Sequence, residues 1–402
     1  MPAVIANLHA RRLFLDRHAL AQPPTGPSSG ASLAALIDAI GFVQVDSINT
    51  VERAHHMILF SRRQSYRPEN LKPLLEHHRT HWEHWTHDAS ILPTRLFPLW
   101  QHRFARNEIR MRNRITAWFP NGDHSQIDTV RRHISDHGPV TTSDFAQGEP
   151  RSKGGWWDWH PSKSALEWLW HTGQLAITRR DGFQKVYDLT ERVIPPEHRT
   201  ATPDTPALID WACTSALDQL GFADIGELWK YWNAITPLEA RHWAKQALAR
   251  GDVIEIDVQG ADGALHRSLA RPDILTQAAT APDPPTRLRI LSPFDPALRD
   301  RDRAQHLFGF LYRIEVFVPE PKRKYGYYVF PVLEGSRIVG RIDVKAFKDD
   351  SVLRVKAFWP EPGIAIGPGR QARLDAELGR LAQFTGCDRV HYLDGWQRET
   401  LA

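Results

Sequence analysis

Leu175-Ala176-Ile177-Thr178-Arg179-Arg180-Asp181-Gly182-Phe183-Gln184-Lys185-Val186-Tyr187-Asp188-Leu189 reads as two strands about an Asp-Gly turn. Directly ahead of it, Ser162-Lys163-Ser164 opens a helix that runs through Ala165, Leu166, Trp168 and Leu169 to Gly173. Further upstream come a helix over 127–136, a turn and small strand at His137-Gly138-Pro139-Val140-Thr141, and another helix near Ser143. A helix that feeds such a hairpin, in this order, reads as the recognition helix and wing of a winged helix.

Working outward, residues 205–275 repeat the pattern loosely. Stretches 208–220 and 225–232 look helical. Thr236-Pro237-Leu238-Glu239 combines a cap, a proline at the first helical position and a glutamate at the third, and the helix it opens ends near Gly251. Strands over 253–258 and 266–270 then flank Gly260-Ala261-Asp262-Gly263. An internal repeat of one unit is a stronger signal than a single copy. Residues 8–118 show helix, strand, helix, helix and hairpin: a helix at 32–40 ending at Gly41, a strand at 42–46, a helix capped by Asn49 or Thr50, one over 71–76, and a strand at 80–85. A Pro-rich linker at 281–285 leads into residues 286–402. There, strands are expected at 312–318, 325–333, 337–344 and 352–359, closed by a helix over 370–385. The expected class is α+β. Its parts are three tandem winged-helix domains (8–118, 125–198, 205–275) and a C-terminal antiparallel β-domain (286–402) with a terminal helix.

Composition sets outer bounds. A chain of 402 residues is too long for one compact core. Hydrophobic content of 42% with 24% charged residues is ordinary for a globular protein. No run of eighteen apolar residues occurs, and the first ten residues do not read as a signal peptide. Cys213 and Cys387 form no CxxC pattern, so a reducing cytosol without disulfide or zinc is expected. The formal net charge is only +4, but most of the 51 basic residues are arginine. Arginine grips phosphate with a planar fork, although a GC-rich genome would give the same bias.

Gln44-Val45-Asp46 is the first candidate for chemistry. On a strand, Gln44 and Asp46 share a face about 7 Å apart, with Phe42 beside them and Val43 and Val45 turned to the core. The carboxylate could steady a developing sugar cation or activate water, and the amide could hold that water. The spacing alone sooner suggests that Asp46 caps the following turn while Gln44 is solvated. His78, His81, His84 and His87 recur every three residues. On a strand they alternate faces, so no metal site is expected from them. Asp295, Asp300 and Asp302 form no convincing nuclease set, and Asp295 in Ser-Pro-Phe-Asp-Pro looks structural.

Gln44-Val45-Asp46-Ser47-Ile48-Asn49 resembles the catalytic Gln-hydrophobic-Asp motif of the YcaQ/AlkZ-type interstrand-crosslink DNA glycosylases, whose AlkZ group carries Gln-hydrophobic-Gln. The likeness continues in Leu59-Phe60-Ser61-Arg62 and in Trp85-Thr86-His87-Asp88-Ala89-Ser90-Ile91-Leu92-Pro93. It resumes in Leu291-Ser292-Pro293-Phe294-Asp295-Pro296, Arg301-Asp302-Arg303, Phe308-Gly309-Phe310, Tyr312-Arg313-Ile314-Glu315 and Lys322-Arg323-Lys324-Tyr325-Gly326-Tyr327-Tyr328. The ordered set is specific, although no single tripeptide is. Asp46 places the chain with the YcaQ-like branch.

The resemblance implies three winged helices and a β-domain around duplex DNA. It also implies hydrolysis of the N-glycosidic bond of N7-alkylated guanine, crosslinked guanine included. Gln44 and Asp46 would be catalytic, with His87 lining the site, and no cofactor or metal is implied. No lysine adjoins the motif, which favours a hydrolase without lyase activity. For DNA contact, Arg103, Arg106, Arg110 and Arg114 share a helical face near Arg112; Arg179, Arg180 and Lys185 decorate the wing. Lys322, Arg323, Lys324 and Tyr325 form a basic loop between two strands, matching a hairpin that reaches DNA in the family. Trp156, Trp157 and Trp159 could stack on DNA. A monomer in the cytoplasm, associated with the nucleoid, is expected. The competing reading is a non-catalytic winged-helix regulator.

Overall fold

The computed structural model describes residues 2–113, 124–145 and 160–400. Arg114, Trp156, Trp157 and Trp159 lie outside the described residues. The chain divides into two compact units. One comprises Met1–Pro68, Cys213–Tyr231 and Thr236–Ala402; the other comprises Glu69–Ala212 and Trp232–Ile235. Helices and largely antiparallel sheets make it an α+β protein. Cys213 and Cys387 are both buried and are not joined by a disulfide. Among the described residues no helix is long and apolar enough to cross a membrane.

In the first unit, Ile254–Gln259 and Leu265–Ala270 form the hairpin expected in the third repeat. Ile256 and Val258 alternate into the core, as a half-buried strand requires. The strand Ala3–Ile5 adds to the sheet in parallel, and Phe222–Ala223 closes its other edge. The helix Pro237–Arg250 starts as its sequence dictates. Glu239 N–H donates to the Thr236 hydroxyl at 3.2 Å, and Thr236 N–H donates to the Glu239 carboxylate at 2.7 Å.

The second sheet of this unit runs Leu288–Ile290, Phe330–Glu334, Arg337–Phe347, Val352–Pro360, Arg389–Tyr392. The first four are antiparallel. The fifth is parallel to Val352–Pro360, and the helix Pro368–Thr385 is the crossover such a pair needs. This corrects the purely antiparallel domain with a terminal helix: a strand follows that helix. The strand expected at 312–318 is absent. A turn closes there instead, with Val318 N–H donating to the Glu315 carbonyl at 3.0 Å. The strand expected at 325–333 shrinks to Phe330–Glu334. Gly326 sits at φ +141°, and a Cβ there would lie 2.7 Å from Asp343 Oδ2, so the chain cannot run on as a regular strand.

The core of the first unit holds an ion pair. Arg62 and Asp295 are both fully buried and meet through two parallel bonds, Nη2 to Oδ1 at 2.8 Å and Nη1 to Oδ2. Arg62 Nε also donates to the His18 carbonyl at 3.1 Å, and Asp295 accepts from Ala297 N–H at 3.0 Å. The structural reading of Asp295 holds. His18 itself is wholly buried. Burial lowers its pKa to about 4, with the Arg62 charge acting in the same direction.

In the second unit, His81–Trp85 pairs antiparallel with Ala89–Pro93. Trp82 packs among Phe97, Trp100 and Phe104, with ring centroids 5.0, 6.4 and 6.3 Å away. The helix Ser125–His137, a bridge between Val140 and Tyr187, the helix Pro161–His171 and the hairpin Leu175–Asp181/Gln184–Leu189 follow in the expected order. The hairpin turn falls one residue later than Asp-Gly. Gly182 and Phe183 are its central residues, at φ +55° and +79°. Arg180 steadies Phe183 by donating to its carbonyl at 2.6 Å and lying 4.3 Å over its ring. The helix expected at 71–76 is a single wide turn, Pro73–His77.

Replacing Asp295 by Asn leaves the Arg62 charge buried and uncompensated. Asp295→Asn should cost about 3–5 kcal/mol of unfolding free energy, read by urea denaturation. His18 takes up its proton near its ordinary value only when unfolded. Stability from keeping it neutral is therefore complete above pH 6.5 and is lost as pH falls toward 4. His18→Phe should reduce the drop in stability between pH 7 and pH 4.5 by roughly 2 kcal/mol; an unchanged drop would exclude His18 as its source.

Candidate active site

Only Val43–Gln44 forms a strand, and residues 42–45 are all buried. Asp46 lies past the strand, which corrects the five-residue strand expected at 42–46. Gln44 and Asp46 therefore do not share a strand face. Gln44 is 3% exposed, while Asp46 is half-buried. Asp46 Oδ1 accepts the Ile48 N–H at 2.8 Å, a side-chain turn typical of aspartate. This fixes the carboxylate relative to the backbone.

The segment after Asp46 is held from two sides. Arg53 Nη1 donates to the Ser47 carbonyl at 3.2 Å. Ala346 N–H, on the strand Arg337–Phe347, donates to the Thr50 carbonyl at 2.8 Å, and Lys348 pairs with Glu52 at 3.1 Å. The next helix, Ala54–Arg62, begins after Arg53 and has no side-chain cap, so neither Asn49 nor Thr50 caps it.

Tyr328 feels the Asp46 charge. Burial pushes its phenol well above the usual value, and Asp46 acts in the same direction, so Tyr328 remains a donor at neutral pH. Ser292 lies beside the phenol, yet the Tyr328 hydroxyl completes no hydrogen bond among the described residues. Arg301 joins this cluster. Its Nη2 donates to the Pro293 carbonyl at 2.6 Å, its guanidinium lies 4.5 Å over the Tyr312 ring, and its buried Nη1 has no partner among the described residues. Tyr312 donates to the Val329 carbonyl at 2.6 Å. Four of the stretches singled out in the sequence thus meet around Tyr328, whose phenol feels the Asp46 charge: 291–296, 301–303, 312–315 and 322–328. Tyr328 and Arg301 were quoted in those stretches without a role, because nothing local marks them as neighbours of Asp46.

The expected DNA-contacting residues divide sharply. Arg103 is 6% exposed and donates to the carbonyls of Trp232 at 3.0 Å, Asn233 at 2.7 Å and Thr86. Arg106 donates to the Ala234 carbonyl at 2.9 Å. Both hold carbonyls of the second unit, which their helical spacing did not announce. On the same helix, Phe97–Arg112, Arg110 is exposed and bonds Asn107 at 3.0 Å, and Arg112 pairs with Glu108 at 2.7 Å. On the wing, Arg180 binds Glu83 at 2.7 Å and Lys185 binds Glu167 at 2.8 Å, so both are held inside their unit. Only Arg179 of that trio is well exposed, in a pair with Asp181 at 3.0 Å.

Lys322 and Lys324 are exposed, without a carboxylate partner among the described residues. Arg323 donates to the Val318 carbonyl at 2.8 Å, and Tyr325 meets Trp359 edge-on at 5.4 Å. This loop lies between the turn at 315–318 and the strand Phe330–Glu334, not between two strands. His87 is half-buried in the second unit, between the strands His81–Trp85 and Ala89–Pro93, with Nδ1 3.1 Å from the Thr86 hydroxyl. His84 is buried against the Trp170 carbonyl at 2.9 Å, and burial holds it well below its usual pKa. Among the described residues no group of three or more His, Cys, Asp or Glu is placed to hold a metal.

Two comparisons bear on this arrangement. The chain matches the structure of Streptomyces sahachiroi DNA glycosylase AlkZ with a TM-score of 0.65 at 17% identity, over 98% of this chain and 100% of that one. At that identity the likeness speaks for the fold. The model of the family described as DNA glycosylase AlkZ-like matches residues 37–384, a span that contains Gln44, Asp46 and all four stretches around them. The chain therefore belongs to the AlkZ-like family of DNA glycosylases.

Proposed function

We propose that this glycosylase removes N7-alkylated guanine from duplex DNA, including guanines tied into interstrand crosslinks. The observation that carries the reading is the Asp46 carboxylate, fixed by Ile48 N–H, with its charge felt by the buried Tyr328 phenol. Alkylation at N7 places a positive charge on the base. When the C1′–N9 bond breaks, the electron pair moves to the base and neutralises it, so no protein acid has to protonate the leaving group. Asp46 steadies the cationic sugar and takes the proton of the water that adds to C1′. Gln44 orients that water or the sugar. The unsatisfied donors Tyr328 Oη and Arg301 Nη1 are suited to a water or substrate oxygen entering the cluster. This chemistry needs no metal, and it ends at an abasic site without strand cleavage.

In this reading the helix–hairpin units at 8–118, 125–198 and 205–275 act as winged helices on one monomer. Phosphate contacts come from the exposed cations Lys322, Lys324, Arg110 and Arg179. A crosslinked base is tied to the opposite strand and cannot swing freely into a closed pocket, which favours attack on a base left near the helix. A purely structural Asp46 would make the same bond to Ile48, and that observation supports the second reading, a DNA-binding protein without base release.

A base-release assay on duplex DNA carrying N7-methylguanine, run beside a nitrogen-mustard crosslink, separates the two. Asp46→Asn and Gln44→Ala should each lower excision by roughly a hundredfold or more while duplex affinity is kept. Joint loss of binding and activity would make the pair structural, and binding without any release would select the second reading. Tyr328→Phe removes a hydroxyl whose approach to Ser292 falls short of a well-formed hydrogen bond, so thermal stability should hold. Its kcat should fall roughly tenfold to a hundredfold at unchanged KM. A lower melting temperature with unchanged kcat would place the hydroxyl in the fold alone.

A further inference from the structure

Phe317 is 87% exposed, the highest value among the large hydrophobic side chains described. An isolated exposed apolar residue is ordinary, but the setting of this one is not. Phe317 sits in the turn at 315–318, which is braced on both flanks. The Glu315 carboxylate accepts three consecutive backbone N–H groups, Lys324 at 2.9 Å, Tyr325 at 2.8 Å and Gly326 at 3.0 Å. Burial raises the Glu315 pKa, but those bonds outweigh it and hold the carboxyl below its ordinary value. On the other flank Arg323 Nε holds the Val318 carbonyl at 2.8 Å while its guanidinium covers Tyr327 at 5.1 Å. The exposed cations Arg313, Lys322 and Lys324 belong to the same braced stretch, which Arg323 and Lys324 tie back to Val318 and Glu315. A cavity of about 380 Å³ at the foot of the turn is lined by Leu311, Arg313, Glu315, Lys324, Tyr325 and Trp359.

We propose that Phe317 is a wedge that enters the base stack of duplex DNA next to the damaged guanine. This rests on the function proposed above and adds a part to it. Cations carried on the same turn as an exposed apolar ring fit phosphates beside an opened base step, where the ring replaces the lost base-to-base stacking. A protein surface apolar enough to cover Phe317 would leave those charges facing apolar ground. The two braces mean that little freedom is lost on insertion. Opening the stack also serves the chemistry, because C1′ and N9 of a tethered base are shielded by its neighbours until one step is parted.

The test uses the full chain carrying Asp46→Asn and a duplex with 2-aminopurine beside N7-methylguanine. Binding should raise the 2-aminopurine fluorescence severalfold when Phe317 is present, and Phe317→Ala should abolish the rise although the complex still forms. In the otherwise unaltered enzyme Phe317→Ala should slow excision about tenfold on a fully paired duplex. A mismatch opposite the lesion, which opens the stack beforehand, should restore most of the rate, and Phe317→Trp should behave as Phe317 does. Equal fluorescence and equal excision with Phe317→Ala would overturn the wedge while leaving the glycosylase reading intact. Loss of self-association in sedimentation, with the fluorescence rise unchanged, would assign the ring to a second copy of the chain and overturn it equally. A chain that neither binds duplex nor releases base would remove both readings together.

Discussion

The bidentate bond between Arg62 and Asp295 is the constraint on which the first unit depends. It joins the helix that follows the Gln44-Val45-Asp46 motif to the Ser292-Pro293-Phe294-Asp295 segment, more than two hundred residues later. Buried ion pairs contribute little net stability over a well-packed apolar pair, yet they tolerate only one geometry. Here that geometry sets where Ser292 and Pro293 lie. Pro293 in turn receives Arg301, and Ser292 stands beside Tyr328, the neighbour of Asp46. The pair thus specifies the candidate site more than it stabilises the core.

The same use of arginine runs through the molecule. Arg103 gathers three carbonyls, Arg299 reaches those of Tyr231 and Lys230, and Arg303 binds Phe222 together with Glu227 at 2.7 Å. A planar fork with five donors satisfies carbonyls left over at helix ends and turns, which a single ammonium cannot do. The arginine-rich composition is therefore in good part an internal scaffold, and the weak net charge understates how selectively the exposed cations are placed.

This explains what was legible in the sequence. The hairpins expected at 175–189 and 253–270, the capping box at Thr236 and the helix expected from Ser162 follow from local rules, and all are present within a residue of their expected starts. The structural role of Asp295 was also legible, since its flanking prolines and the neighbouring acids suggested no chemistry. What failed depended on partners far along the chain. The strand expected at 312–318 alternates correctly, but the Glu315 side chain claims three N–H groups from 324–326 and the chain turns instead. The row Arg103, Arg106 and Arg110 has the right helical spacing, yet two of its members point to carbonyls at 232–234. Tyr328 and Arg301 had no local signature, because their meaning lies in distance from Asp46. Periodicity reports which face is shared; it does not report what that face meets.

That Asp46 lies beyond its strand sharpens the argument about mechanism. A side chain on a strand face follows the sheet. Asp46 instead takes its direction from Ile48 N–H, and its segment is fastened to the strand Arg337–Phe347 through Thr50 and Glu52. Motif and C-terminal sheet are thereby one mechanical piece. With a cationic leaving group, the proposed reaction asks for little acid–base power and much positional accuracy, since an anion steadies a sugar cation only at close range in a medium that screens weakly. Local turn and long-range fastening supply that accuracy from two independent directions, so neither the tripeptide alone nor the C-terminal sheet alone would suffice to place the charge.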